Sequence, residues 1–322
     1  MSFKVDAVIT WVDGDDPRHK AKREQYGDKR IFSLDDVAGT TRYRSVGEIF
    51  YCVASLNRYA PWLNKIYIVT DEQDPMLDDL IAKHFPEGSI PMEIVDHKVI
   101  FRGYEQHLPT FNSISIESMT WRIPGLAEHY IEFNDDLILA APTRPEDFFT
   151  QDGRVVCYGK KYSSFYTTIT HLFRRHRDGS RKVSFRQTMM NAARLLGIRR
   201  HFIKIYHTPK ALKRSTYESY FEKHPGHLEQ NIKHRFREPS QYNVEEIQYL
   251  LLNREKQLEL RPANDLLYLK PKRDDSYIAE KLAEFDKRTH HKFGCFNSID
   301  QLSDEARRMT IEWIIRRIGL EE

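Results

Sequence analysis

The sequence contains little cysteine and no long apolar run. Its 3 cysteines, Cys52, Cys157 and Cys295, are widely spaced and include no Cys-x-x-Cys pair, which argues against a disulfide framework or a zinc site and predicts buried thiols. No stretch approaches the roughly 20 apolar residues of a membrane-spanning helix. The first apolar run is short and flanked by acidic residues, so we expect a cytoplasmic protein without a signal peptide.

Acidic residues are scarce in one segment. Between Arg154 and Arg214 there are sixteen lysines and arginines but a single acid, Asp178, which gives a net charge of +15. The whole chain carries only +3, so the remainder carries −12. Such a segment favours an anionic partner, for which nucleic acid, a phospholipid surface and an acidic substrate are the alternatives. The simpler interpretation is a solvated basic face.

Apolar strands alternate with helices in the first half of the chain. The runs DAVITWV, KIYIVT, MEIVDHKVIF and HYIEF predict strands. The stretches RYRSVGEIFYCVASLNRYAP and SISIESMTWRIPGL predict helices, which Pro61 and Pro124 end. This alternation predicts an α/β fold with a mostly parallel sheet and helices on both faces. The second half predicts mainly helices, including one that ends at Gly197 and a last helix with Ser303 as N-cap.

Carboxylates follow three of the predicted strands. Asp13, Asp15 and Asp16 follow the first strand, the stretch DEQD follows the second, and Asn134, Asp135 and Asp136 follow the strand that contains Phe133. Because ligands bind at the carboxyl ends of the strands in open α/β sheets, we expect these side chains to meet at one edge. For the first stretch, an Asp-rich turn that caps a helix is the alternative. The motif FNDD resembles the acidic metal motif of nucleotide-sugar transferases, whose carboxylates hold Mg²⁺ or Mn²⁺ against phosphates.

Longer stretches carry a more specific signal. In chain order they are DAVITWVDGDDP, RYRSVGEIFYCVASLNRYAPWLNKIYIVTDEQDP, HLPTFNSISIESMTWRIPGLAEHYIEFNDDLILA, YHTPK with HRFRE, and KFGCFNSID. From residue 6 to about residue 300, these stretches resemble the successive conserved regions of the Stealth family. That family comprises bacterial capsular polysaccharide phosphotransferases and the animal enzyme that tags lysosomal glycoproteins with N-acetylglucosamine phosphate.

This resemblance implies a reaction and a domain organisation. The reaction transfers a hexose or N-acetylhexosamine 1-phosphate from a UDP-sugar to a hydroxyl of a glycan acceptor, including a lipid-linked one, in capsular or cell-surface polysaccharide synthesis. A phosphodiester forms and UMP leaves. The implied fold is Rossmann-like and similar to glycosyltransferase A. Residues 1–150 would form the nucleotide-sugar-binding core, 151–215 a basic, partly helical lobe, and 216–322 a helical part that completes the active site.

The resemblance also implies roles for individual residues. Asp136, with Asp135 or Asn134, is expected to bind Mg²⁺ or Mn²⁺, and Glu117 and Arg237 are expected to be catalytic, with Arg237 on a phosphate. His207 would either deprotonate the acceptor or hydrogen-bond phosphate, and an aspartate is the alternative base. The expected substrate-binding residues are Trp11, Asp13, Gly14, Arg42, Gln73, Asn112, Asn191, Arg235 and Asn297. Relatives commonly have Asn-Asp where this chain has Asn297 and Ser298, with Asp300 as the candidate replacement for the missing acid.

Two other functions compete with this one. A metal-dependent glycosyltransferase would use the same acidic edge but would release UDP. A nucleic-acid-binding protein would use the basic segment, but that segment has no single-strand-binding motif and the acidic strand ends would repel phosphates, so we expect no nucleic-acid partner. Instead, we expect its cations to dock the acceptor or the anionic inner face of the cell membrane, unless the acidic remainder of the chain neutralises them. The leading candidates are Lys160, Lys161, Arg174, Arg175 and Arg177.

Overall fold

A computed structural model describes residues 3–27, 47–164, 184–270 and 274–320. The described strands are β1 (Val5–Thr10), β2 (Lys65–Thr70), β3 (Met92–Asp96), β4 (His129–Asn134), β5 (Leu137–Leu139), β6 (Val155–Ser163), β7 (His201–Ile205), β8 (Lys210–Lys213), β9 (Leu258–Arg261), β10 (Leu266–Leu269) and β11 (Phe293–Phe296). The described α-helices are α1 (Pro17–Tyr26), α2 (Glu48–Tyr59), α3 (Asp78–His84), α4 (His97–Ile100), α5 (Ser113–Glu117), α6 (Phe185–Leu195), α7 (Arg214–Lys223), α8 (Pro225–Ile232), α9 (Val244–Arg254), α10 (Asp275–Asp286) and α11 (Asp304–Ile318).

The central element is a five-stranded sheet in the order β3-β2-β1-β4-β8. The first four strands are parallel, and β8 runs antiparallel to β4. Consecutive residues of β1, Ala7, Val8 and Ile9, are fully buried, as expected for a parallel strand that is covered on both faces. The predicted α/β fold with a mostly parallel sheet is confirmed.

The helix expected over SISIESMTWRI is shorter than the sequence pattern suggests. It consists of α5 followed by a 3₁₀ turn at Thr120–Arg122. The Ser118 hydroxyl donates to the Ile114 carbonyl, and the Thr120 hydroxyl donates to that of Glu117. Such side-chain bonds compete with the helical ladder and favour turns, which explains the early end of the helix.

The second half contains strands as well as the predicted helices. Two three-stranded sheets have the orders β10-β11-β5 and β7-β6-β9. Helix α9 covers strand edges with polar side chains that are themselves buried: Glu246 accepts from the Ile203 amide of β7, and Gln248 bonds both backbone groups of Lys213 at the end of β8. Pairing these edge groups removes the cost of burying them and joins the helix to two sheets.

Strand pairing crosses the predicted segment boundaries. Strand β8 lies within 151–215 and completes the central sheet, and β11 of the C-terminal segment pairs with β5. The three segments thus share sheets with one another, and their division into functional parts at residues 150 and 215 stays a prediction.

The three cysteines are free and buried, as predicted. Among the described residues, no helix is both long enough and apolar enough to cross a membrane.

Candidate functional site at the carboxyl edge of the sheet

The predicted convergence of acidic strand ends is confirmed by the strand register. Thr10 at the end of β1 lies beside Val69 of β2 and Asn134 of β4. All three strands are parallel, so the loops that follow them leave the sheet at the same edge. This edge is the candidate active site.

The loops after β1 and β2 are joined by Gln73. The Asp13 amide donates to Gln73 Oε1 at 2.9 Å, while Gln73 Nε2 donates to the Asp13 carbonyl at 2.9 Å and to Asp16 Oδ2 at 3.0 Å. The bond from Gln73 is the largest cause that lowers the pKa of Asp16 to about 2. Asp16 also caps α1 by accepting from the Arg18 amide at 2.8 Å, so the capping interpretation holds for this aspartate.

Trp11 and Gly14 begin this first loop and are both buried. Trp11 is only 9% exposed, which leaves its ring little surface for a substrate. Arg42 lies outside the described residues.

The turn between β4 and β5 carries Asn134, Asp135 and Asp136, all half-buried. Removal from water, followed by the charges of Asp136 and Glu48, raises the pKa of Asp135 well above its ordinary value. Removal from water and the charge of Glu48 also raise the pKa of Asp136, to about 6. These directions indicate negative charges that the surroundings leave largely uncompensated.

Glu48 is a residue of this edge that the sequence did not single out. It is the first residue of α2 and is buried. It lies within the RYRSVGEIF motif, but nothing in that motif marks it as an active-site residue. Only the packing of α2 against the sheet brings its carboxylate near Asp135 and Asp136.

The last predicted motif reaches the same turn through β11. Cys295 lies opposite Leu137 of β5, and the Phe296 amide donates to the Asp136 carbonyl at 3.0 Å. Cys295 Sγ lies 3.9 Å from Asp136 Oδ2. Asn297 is the next residue in the chain and therefore lies beside the acidic turn. Its Oδ1 accepts from the Ser298 hydroxyl at 2.8 Å.

A buried lysine lies at the centre of the charges behind this edge. Lys210 of the YHTPK motif contacts Glu245 of α9 and lies 4.0 Å from Glu132 of β4. Burial alone would lower the pKa of Lys210, but Glu245, Glu117 and Glu132 together raise it above its ordinary value. No sequence pattern singled out Lys210, Glu132 or Glu245, although Lys210 lies within the YHTPK motif.

Glu117 and Arg237 lie in the neighbourhood of this lysine. Burial raises the pKa of Glu117, while Lys210 and Arg237 act in the opposite direction. Arg237 Nη2 donates to the Ser113 hydroxyl at 2.7 Å, at the first residue of α5. The residue is half-buried, and this bond uses only one of the five N–H donors of a guanidinium.

Three of the expected substrate-binding residues have hydrogen-bond partners within the described structure. Asn112 is fully buried, and its amide nitrogen donates to the carbonyls of His234 and Phe236 and to Gln241. These bonds hold the HRFRE segment in place. The Asn191 side-chain nitrogen Nδ2 donates to the carbonyls of Pro239 and Gln241. Arg235 Nη2 donates to the carbonyls of Gln106 and Leu108. These bonds give all three residues a structural role in the fold, and their predicted contacts with substrate stay predictions.

His207 lies between aromatic rings. Its imidazole stacks on Tyr268, with ring centroids 5.2 Å apart and planes 3° apart, and on Phe185 at 6.0 Å. The residue is exposed, but these neighbours remove water from the ring. This desolvation, with Lys210 and Lys204, lowers the pKa of His207 below its ordinary value, so its imidazole is neutral at pH 7.

Comparison with known proteins agrees with the motifs. Residues 3–30 match the family model Stealth protein CR1, conserved region 1, and residues 42–157 match Stealth protein CR2, conserved region 2. The galactosyltransferase LgtC, solved with donor and acceptor sugar analogues, aligns with a TM-score of 0.49 at 10% identity and covers 98% of this chain and 95% of its own. Since this score is low, the fold assignment rests on the strand order above.

Curated relatives are also similar to this chain in sequence. The receptor polysaccharide phosphotransferase WefC of Streptococcus oralis is 35% identical over 261 residues, which are 75% of this chain and 76% of the relative. The capsular polysaccharide phosphotransferase WcwK of Streptococcus pneumoniae is 41% identical over 150 residues, 47% of this chain and 42% of that protein. With the family's conserved regions in place and a relative matched over three quarters of its length, this chain belongs to the Stealth family of polysaccharide phosphotransferases.

Proposed function

We propose that the protein transfers a sugar-1-phosphate from a UDP-sugar to a hydroxyl of a glycan acceptor during polysaccharide synthesis. The observation that carries the proposal is the carboxylate pair Asp135 and Asp136 at the carboxyl end of β4, whose pKa values are raised. An acidic edge of this kind suits a cation and the diphosphate of a nucleotide sugar. The relatives' names add that the group transferred contains phosphorus.

The donors at this turn fit Mg²⁺ or Mn²⁺. Asn134 Oδ1 is buried without a hydrogen-bond partner among the described residues and adjoins the two carboxylates. Magnesium is commonly held by one or two carboxylates together with substrate phosphates. The described residues include no group of three or more His, Cys, Asp or Glu able to hold a metal by themselves, so the donor's phosphates would complete the shell. A bound ion would neutralise charge on those phosphates.

The remaining residues fit an in-line displacement at phosphorus. The acceptor oxygen attacks the phosphorus that carries the sugar, and UMP leaves with the electron pair of the broken bond. His207, neutral because its pKa is lowered, takes the hydroxyl proton, while Arg237 donates to the phosphoryl oxygens. The bond from sugar C1 to its oxygen stays intact, so the anomeric configuration is retained.

The identity of the released nucleotide tests this function. Incubation with a panel of UDP-sugars, Mg²⁺ and a glycan acceptor is expected to yield UMP and a phosphodiester, detected by chromatography and ³¹P NMR. Release of UDP with a phosphate-free product would instead assign a glycosyltransferase.

His207→Ala and Arg237→Ala are each expected to lower kcat by about 100-fold or more, the usual scale for a lost proton acceptor or phosphate donor. If His207 is the base, the wild-type rate rises with pH through the pKa of His207, which lies below its usual value. His207→Ala removes that limb of the profile.

The exposed His290 offers a matched control, and His290→Ala should leave the pH profile unchanged. If His207→Ala and Arg237→Ala alter only KM, and slightly, both residues lie at the periphery of the site.

A further inference from the structure

One face of the antiparallel strand pair β6 and β7 concentrates cations around an aromatic ring. Lys160 of β6 lies directly opposite Lys204 of β7, and Tyr162 follows on the same face, because side chains two residues apart point to the same side of a strand. The Tyr162 ring has Lys160 Nζ at 5.1 Å, Lys204 Nζ at 5.5 Å and the Arg186 guanidinium at 5.9 Å from its centroid. We call these four residues the Tyr162 face.

Carboxylates do not neutralise this face within the described part of the chain. Lys160, Lys204 and Arg186 form no ion pair there, unlike Arg154 at the start of β6, which pairs with Asp152 and Glu259. Three cations that share one ring repel one another, so an anion placed among them relieves that repulsion.

The Tyr162 face adjoins the candidate active site. Lys204 Nζ also lies 5.4 Å from the Tyr206 ring, and Tyr206 immediately precedes His207. Phe185, which neighbours Arg186, is 40% exposed and stacks on His207 at 6.0 Å. The charge of Lys204 contributes to the lowered pKa of His207. A chain bound on this face can therefore present its end to the imidazole.

We infer that the Tyr162 face binds the acceptor, and that the acceptor is a phosphate-bearing glycan chain. Lysine and arginine supply the charge that phosphates require, and the half-buried Tyr162 ring with the exposed Phe185 ring supplies flat apolar surface for sugar rings. The inference rests on the proposed function only in assigning His207 as the end point of the acceptor. It also narrows the expectation from sequence: Lys160 belongs to the face, Lys161 points to the other side of β6, and Arg174, Arg175 and Arg177 lie outside the described residues.

The test measures acceptor binding without a donor. The probe is a synthetic trisaccharide of hexoses joined by phosphodiesters, compared by calorimetry with the same trisaccharide joined by ordinary glycosidic bonds. Lys160→Gln combined with Lys204→Gln is expected to weaken binding of the charged probe by about tenfold or more, since two charge-assisted contacts to its phosphates are removed. Arg186→Gln, a second variant on a different element, should weaken it in the same direction.

Lys161→Gln is the matched control, because it removes another exposed lysine from the same strand but from the opposite face. It should change binding less than twofold. An equal loss in Lys161→Gln, or unchanged binding in the double variant, would overturn the inference. Binding of phosphatidylglycerol vesicles, without binding of the charged trisaccharide, by the wild-type protein would also overturn it.

The identity of the released nucleotide distinguishes failure of the proposed reaction from failure of the proposed acceptor-binding face. With the UDP-sugar, the double variant should retain the donor KM of the wild type and show a raised acceptor KM. If the wild type releases UDP, the proposed reaction fails, while the binding experiment still decides the role of the Tyr162 face.

Discussion

Asp136→Asn is expected to abolish turnover, a loss of at least about 1000-fold, while the protein stays folded. The substitution keeps the side-chain volume but removes a charged oxygen ligand, and a charged group at the reacting phosphates is worth about this much. It also relieves a carboxylate whose pKa is already raised by lost hydration and by Glu48, so thermal stability should not fall. Turnover and circular dichroism of the variant check both statements.

A second readout tests the ion directly. Mg²⁺ with UMP should raise the Tm of the wild type, because a ligand present at about 100 times its Kd stabilises the native state by about 2.7 kcal/mol. The same addition should leave the Tm of Asp136→Asn unchanged. Asp79→Asn, at an exposed position of α3, is the control and should behave as the wild type. Full activity of Asp136→Asn, or of the wild type in chelator, contradicts the metal assignment.

Lys210→Met is expected to destabilise the protein by about 3–5 kcal/mol, the usual cost of leaving a buried partner charge unpaired. Glu245 is 0% exposed and would lose the ammonium that contacts it, as would Glu132. Because the pKa of Lys210 is raised in the folded protein, its contribution is complete at neutral pH and is lost only as the pH rises through that raised value. Urea unfolding at pH 7 measures the change.

Two further variants show whether the lost stability comes from the buried charge pair. Adding Glu245→Gln to Lys210→Met should recover part of the lost stability, since the unpaired carboxylate is then removed. Lys281→Met breaks a solvent-accessible pair with Glu284 and should cost no more than about 1 kcal/mol. If Lys210→Met costs no more than Lys281→Met, the buried charges do not depend on Lys210.

The sequence by itself determined three buried strands of the first half, β1, β2 and β4, and the positions of the acidic residues that follow them. Buried parallel strands are continuous apolar runs, so β1, β2 and β4 could be recognised locally, and the carboxylates that follow them share an edge through parallel topology alone. Local chemistry also fixed helix ends, such as the Ser303 hydroxyl, which accepts from the Ala306 amide, and Gly197 with a φ of +74°.

Only the tertiary structure decided which charges face one another. Lys210 and Glu245 are 35 positions apart, and Cys295 and Asp136 are 159 apart. A lysine in a short edge strand and a glutamate in a first helical turn each predict a solvated side chain, and they become a buried pair only because α9 packs over β8. Burial of charge depends on which elements cover one another, a long-range property that periodicity and spacing do not record.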